Sequence, residues 1–285
     1  MNLHRPARGI AVRVALLAGL LLSLGACTSP PDTTTGVELP PSGAVVDYQL
    51  GGGYDPASGV GGVARDSTDE PAPGLYSICY INGFQTQPAD RERWLADDPD
   101  LVLQRDGEPV IDENWPDELI LDTSTSAKRD RIAERMAQTL AECADKGFDA
   151  VEIDNLDSYT RSDGLLTVDD ALALAAEYAE SAHAAGLAIA QKNAAELGTR
   201  GRDEAGFDFA VTEECQRFDE CALYSDVFGD HVIDIEYTDD LRGGFGEVCA
   251  DPQVPASTIL RDRDLTRPGD ADYHFEACAL TSAAG

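Results

Sequence analysis

Apolar residues along this chain recur in eight short runs, each closing on polar or charged side chains. They are VVDYQL (45–50), GGVARD (61–66), YSICYIN (76–82), FDAVEID (148–154), LAIAQKN (187–193), FDFAVTEE (207–214), HVIDIEY (231–237) and STILRD (257–262). Short apolar runs bounded by turn-forming residues predict buried strands. Two longer segments carry helical spacing instead. Lys128 to Lys146 sets Ile132, Met136, Leu140 and Cys143 on one face and stops at Gly147. Val168 to Ala185 begins after the candidate cap Thr167 and stops at Gly186. Strands alternating with helices predict a parallel sheet. Eight of them within residues 44–285 predict an α/β domain, a single (β/α)8 TIM-type barrel. The first two crossovers are too short for full helices.

One excursion breaks the rhythm. Residues 83–127 separate the third run from the first helix and hold both tryptophans, Trp94 and Trp115. A connection of that length in a compact domain is usually functional. Flat aromatic faces pack on the C–H surfaces of sugars, which makes Trp115 a candidate carbohydrate platform. Trp94 lies in the helix-like DRERWLADD and is expected only to cover a barrel end.

Residues 1–27 read as a leader rather than as fold. Arg5, Arg8 and Arg13 precede the apolar VALLAGLLLSL (14–24), which is too short to span a bilayer comfortably. LGAC (24–27) resembles a bacterial lipobox, which implies cleavage before Cys27 and acylation of its thiol. The Pro- and Thr-rich residues 28–43 read as an extended tether. The expected location is the extracellular face of a bacterial cell membrane, reached through the lipid anchor alone, or the medium. Six cysteines remain, which favours disulfides outside the cytosol. Cys215 and Cys221 are close enough for a local staple, and Cys249–Cys278 and Cys79–Cys143 are the pairings expected for the rest.

Charge narrows the partners. With 53 acidic against 21 basic residues the chain carries a net −32, which repels nucleic acid and anionic lipid and attracts polycations. Solubility alone would also account for such a surface. A monomer is expected.

Candidate chemistry sits at the strand ends. Alternation along FDAVEID turns Val151 and Ile153 toward covering helices and Ala150, Glu152 and Asp154 toward the barrel mouth. The sixth run ends in Glu213 and Glu214, the seventh in Glu236. Carboxylates meeting in one mouth cannot all ionise cheaply, so at least one pKa is expected to rise. One protonated and one ionised carboxyl flanking a bond is the machinery of glycoside hydrolysis. Metal-assisted hydrolysis is the competing chemistry, since a carboxylate ring holds hard cations. None of His4, His183, His231 and His274 ends a strand, no Cys/His cluster has zinc spacing, and no GxSxG or Walker-type loop occurs. No cofactor or metal is indicated.

Taken in order, YSICYINGFQTQ (76–87), NWPDELILD (114–122), GFDAVEIDNLDSY (147–159), AHAAGLAIAQKN (182–193), FDFAVTEECQRFDEC (207–221) and EYT (236–238) resemble glycoside hydrolase family 114, from about Tyr48 to Tyr237. The resemblance implies a (β/α)8-type barrel, a retaining glycosidase and endo-α-1,4-polygalactosaminidase activity. It implies an Asp and a Glu as the catalytic pair: Asp154 as nucleophile and Glu213 as acid/base, with Glu214 as the alternative. Gln49, Asp66, Asn82, Asp122, Asn155, Asp157, Lys192, Asn193, Glu236 and Tyr237 are the positions it implies around the pocket. The partner so implied is a cationic amino-sugar polysaccharide, with Glu152, Asp157 or Glu236 pairing its ammonium groups and Lys192 holding carboxylates ionised. The alternatives are a non-catalytic carbohydrate-binding lipoprotein and a glycosidase of the same fold acting on another amino-sugar polymer.

Overall fold

The structure, a computed structural model, describes residues 36–278. The expectations for residues 1–27, for Cys27 and for the first part of the tether lie outside these residues. In chain order the strands are β1 (Val46–Tyr48), β2 (Gly62–Asp66), β3 (Tyr76–Asn82), β4 (Gln104–Arg105), β5 (Glu108–Pro109), β6 (Ala150–Asp154), β7 (Ala188–Lys192), β8 (Phe209–Glu213), β9 (Val232–Tyr237), β10 (Ser257–Arg261) and β11 (Phe275–Ala277). The helices are α1 (Arg91–Asp97), α2 (Ser126–Lys146), α3 (Val168–Ala184), α4 (Cys221–Phe228) and α5 (Phe245–Val248). All eight runs read from the sequence are strands. They lie side by side, parallel, in the order β1-β2-β3-β6-β7-β8-β9-β10, as a (β/α)8 barrel requires, and β11 adds an antiparallel edge to β10.

Alternation builds two separate cores. Inward-facing Ile78, Ala150, Ala188, Ala190, Phe209, Val211, Ile233 and Ile235 fill the barrel, and the alanines of β6 and β7 leave room for Phe209 and Tyr48. Outward-facing Cys79, Ile81, Val151, Ile153 and Ile189 meet the buried stripes of α2 and α3. Both helices begin and end where their caps dictate. Thr125 accepts the Lys128 N–H, and Gly147, at φ 92°, takes the left-handed turn that ends α2. Thr167 and Asp170 form a reciprocal capping box for α3.

Between β1 and β10 the described residues form no strand ladder. The fully buried Arg261 spans that seam, donating to the Tyr48 carbonyl and lying 3.3 Å from Asp47. Three disulfides complete the frame: Cys79–Cys143 ties β3 to α2, Cys215–Cys221 staples the loop after β8, and Cys249–Cys278 holds the C-terminal strand. By loop-closure entropy the first, spanning 64 residues, contributes about 4 kcal/mol.

The 83–127 excursion is an ordered element. It holds α1 and the β4–β5 hairpin, is pinned by bridges from Gln85 to Ile120 and Val102 to Leu121, and buries its own Leu103, Val110 and Ile120. Trp94 is buried under the Arg135 guanidinium at 3.9 Å, while Trp115 stands 60% exposed.

Candidate active site

Four neighbouring strands, β6 to β9, end at one mouth, and alternation delivers Asp154, Lys192, Glu213 and Tyr237 into it. The backbone turns sharply just beyond three of them. Asn155, Asn193 and Glu214 adopt φ of 62°, 49° and 62°, left-handed conformations that reverse the chain at once and leave the preceding side chain projecting inward. Such conformations cost on the order of 1–3 kcal/mol for a non-glycine residue and concentrate at functional sites.

Lys192 organises the charges. Its buried ammonium lies 3.1 Å from Glu152 Oε1, 3.5 Å from Asp154 Oδ1 and 3.3 Å from Glu213 Oε2, and it donates to Tyr48 Oη at 3.0 Å. Because Asp154 and Glu213 share this ammonium, their nearest oxygens are separated by no more than the sum of 3.5 and 3.3 Å. Burial opposes the lysine charge, but Asp154 and Glu213 outweigh it and hold the pKa well above the ordinary value.

The carboxylates differ in what holds them. Burial pushes Asp154 up, yet the Lys192 charge, the Tyr80 hydroxyl (2.7 Å) and the Asn155 N–H (2.8 Å) together bring it below the usual range. It is an ionised acceptor. Glu213 accepts from the Tyr237 hydroxyl and from Asn193 Nδ2 at 3.2 Å, while its own N–H donates to Asn193 Oδ1 at 2.8 Å. Glu152 lies one layer deeper, fully buried, accepting from Tyr48 at 2.5 Å. Burial raises its pKa, with Lys192 and Tyr48 pulling the other way. Burial likewise raises Tyr48, Tyr80 and Tyr237, which remain hydrogen-bond donors through neutral pH.

These groups open into a cavity of about 610 Å³. Asp154, Asn155, Asp157, Lys192, Asn193, Glu213, Glu214, Tyr237 and Trp115 line it together. Glu214 is turned to the rim, where Arg263 grips both its oxygens at 2.9 and 3.0 Å. Asp157 is paired with Arg161 at 2.9 Å.

Other expected positions are not brought to the cavity. Gln49 is buried between Asp47 and Arg65, Asp66 accepts from Thr68, and Asp122 is held by Ser124 and Lys128 ahead of α2. Asn82 stands behind the wall, donating to Glu118 at 2.7 Å. Glu236 faces away because Tyr237, its neighbour in the strand, faces in. It accepts the Gln216 N–H at 2.8 Å beside buried Asp234. Glu152 sits beneath the floor. Among the lining residues that the sequence did not single out are Tyr48, Tyr80, Glu118, Arg161, Phe218 and Arg263. For Tyr48 and Tyr80 a signal existed, since both share the inward phase of their strands.

An ionised carboxylate beside a second, more exposed one, both ringed by donors in an open mouth, can attack an acetal carbon and pass a proton to its leaving oxygen. The chain is similar in structure to Aspergillus fumigatus Ega3, solved in complex with galactosamine. The two are 22% identical over 85% of this chain and 96% of that one, with a TM-score of 0.64. It is also similar to the glycoside hydrolase domain of PelA from Pseudomonas aeruginosa, 14% identical over 81% of this chain and 99% of that one, at a TM-score of 0.52. No curated protein matches the chain. The model of glycoside-hydrolase family GH114 matches residues 27–283, past the Tyr237 limit of the sequence motifs and through β10 and β11. This chain belongs to glycoside-hydrolase family GH114 and is a glycoside hydrolase.

Proposed function

We propose that this hydrolase cleaves α-1,4-linked, galactosamine-rich polysaccharide internally and with retention, using Asp154 as nucleophile and Glu213 as acid/base. The observation that carries the reading is the single ammonium of Lys192 shared by both carboxylates. In the first step Asp154 forms a bond to the anomeric carbon as the glycosidic C–O bond breaks, and Glu213 gives its proton to the departing oxygen. In the second step water bonds to the anomeric carbon and gives a proton to Glu213 as the ester bond to Asp154 breaks, with Lys192 beside both carboxylates. Glu213 is preferred to Glu214 because Glu214 is clamped by Arg263.

Internal cleavage is supported by two exposed aromatic residues on separate wall segments, Trp115 on the excursion and Phe218 on the stapled loop, each able to carry a sugar of one long chain. The amino-sugar assignment rests on the acidic surplus and on the galactosamine bound by Ega3. A panel of α-linked polymers tests it: the free-amine galactosamine polymer should be cut several-fold faster than its fully N-acetylated form. KM for the cationic polymer should rise several-fold between about 0.05 and 0.5 M salt. Equal rates on both polymers would sink the assignment, and binding without cleavage would favour a carbohydrate-binding lipoprotein. Cleavage of a different amino-sugar polymer would favour a sister specificity.

The same reading places the enzyme outside the cell, anchored at Cys27 or released, and three disulfides support that location. Fatty-acid labelling that is lost in Cys27→Ser is the expected result, and labelling that persists there would remove the anchor.

A further inference from the structure

Carboxylates around the cavity are mostly answered by cations of the protein itself. Lys192 answers Asp154 and Glu213, Arg161 answers Asp157, and Arg263 answers Glu214. Glu118 is different. It is half-buried in the cavity wall, and among the described residues it has no ion pair; its Oε2 accepts only a neutral amide hydrogen, from Asn82 at 2.7 Å. Glu196, Glu220 and Asp264 also line the cavity without an ion pair. Glu118 also sits close enough to feel the charge of Asp154.

Its position is fixed from behind. Asn82 Oδ1 accepts from Asn155 Nδ2 at 3.0 Å, and Asn155 directly follows Asp154. Arg161 lies 2.6 Å from Asp112 of the excursion and donates to Asn155 Oδ1 at 2.9 Å, tying the excursion that carries Glu118 to the end of β6. A carboxylate that shares a cavity wall with Asp154, with negative neighbours and no ion pair among the described residues, has the chemistry of a cation receptor.

We propose that Glu118 binds the C2 ammonium of the sugar at the cleaved linkage and so selects de-N-acetylated substrate. The proposal rests on the amino-sugar reading above and specifies its receptor. An N-acetyl group brings no cation and would leave Glu118 unpaired. The charged groups facing Glu118 are Asp154 at the end of β6, Asp112 on the excursion and Arg161 beyond β6. Burial, opposed by the Asn82 hydrogen bond and by Arg161 but reinforced by Asp154 and Asp112, pushes the Glu118 carboxyl up to about 7. Below that pH an arriving ammonium must displace a proton, so KM for the free-amine polymer falls as pH rises from about 5.5 to 7.5. It climbs again once the sugar amine, titrating near the α-amino range of about 7.7–8.0, loses its charge.

Glu118→Gln is the test, because a glutamine oxygen still accepts from Asn82 and keeps that scaffold. Expected are a KM about tenfold or more higher on the free-amine polymer, a kcat within about twofold, loss of the acid limb in KM, and unchanged KM on acetylated oligosaccharides. An unchanged KM profile overturns the proposal, and so does a fall in kcat at constant KM, which would assign Glu118 to proton transfer. Calorimetric titration with a free-amine galactosamine tetramer decides the matter without turnover, in a Glu213→Gln background that keeps the Asp154 charge. Binding lost on adding Glu118→Gln supports the proposal; binding that survives, or that is absent from the start, overturns it. A wild-type enzyme that binds this tetramer through Glu118 but cuts no galactosamine polymer would overturn the catalytic reading and leave the receptor standing.

Discussion

Asp154→Asn should lower kcat on the free-amine polymer by about 10⁴-fold or more, with KM little changed. Asparagine keeps the acceptor for Tyr80 and fills the same volume, so the loss is of nucleophilicity and not of shape. Glu213→Gln should cost less, about 10²- to 10⁴-fold, because an acid/base residue can be partly bypassed. The two defects should also separate by leaving group. A substrate whose leaving oxygen needs no proton should restore glycosylation in Glu213→Gln and do nothing for Asp154→Asn. Activity within tenfold of wild type in either variant would refute the assignment.

Lys192→Met should be the most damaging single change to the fold as well as to the reaction. It removes the ammonium from among Glu152, Asp154 and Glu213 and strands buried negative charge, a loss of about 3–5 kcal/mol at neutral pH. Asp154 is held below its unfolded value of about 3.9, so its pairing stabilises the fold above that pH and the contribution is lost as acid carries pH down through the folded value. Lys192 is held above its unfolded value of about 10.4, so its contribution is complete below that pH and is lost only as strong alkali passes the folded value. Both contributions are therefore present across neutral pH. Without the ammonium, burial and repulsion prevail and Asp154 rises. The acid limb of kcat/KM should then move to higher pH, and the variant should gain more stability on mild acidification than wild type does. Denaturant midpoints at about pH 5 and 7.5 read this directly. An unshifted limb and an unshifted midpoint together would mean that Lys192 is a spectator.

The barrel was legible because its strands are buried on both faces and punctuated at both ends, which sequence records directly. The six residues 148–153 already separate the layer facing α2 from the layer facing Glu152. Strand parity carries further information. Glu236 and Tyr237 are adjacent, so only one can face inward, and the interior phase of Ile233 and Ile235 selects Tyr237. The same parity from Phe209 and Val211 selects Glu213 over Glu214 for the floor of the site. Depth was less legible. Nothing local distinguishes Glu152, sealed beneath Lys192, from Asp154, two residues on and at the mouth. The excursion was least legible of all. Its own small core of Leu103, Val110 and Ile120, its latch through Arg161 to Asp112 and the Asn82 hydrogen bond to Glu118 are contacts between separated segments, and together they bring Glu118 to the cavity.

The pKa expectation also needed the fold. Crowded carboxylates predicted a raised value somewhere in the mouth, and Glu152 and Glu118 have one. Asp154 goes the other way because an ammonium from the next strand lies 3.5 Å off, and an ionised nucleophile is what attack on an acetal carbon requires.

The central claim is that Asp154 itself becomes bonded to the sugar while Glu213 manages the protons. Trapping tests it most directly. Glu213→Gln, mixed with an α-galactosaminyl donor bearing a good leaving group, glycosylates but cannot activate water, so the intermediate accumulates. Peptide mass spectrometry should find one galactosaminyl residue on the peptide containing Asp154, absent when Asp154→Asn is added. Product released with inverted configuration, or a sugar carried on any other residue, would contradict the account.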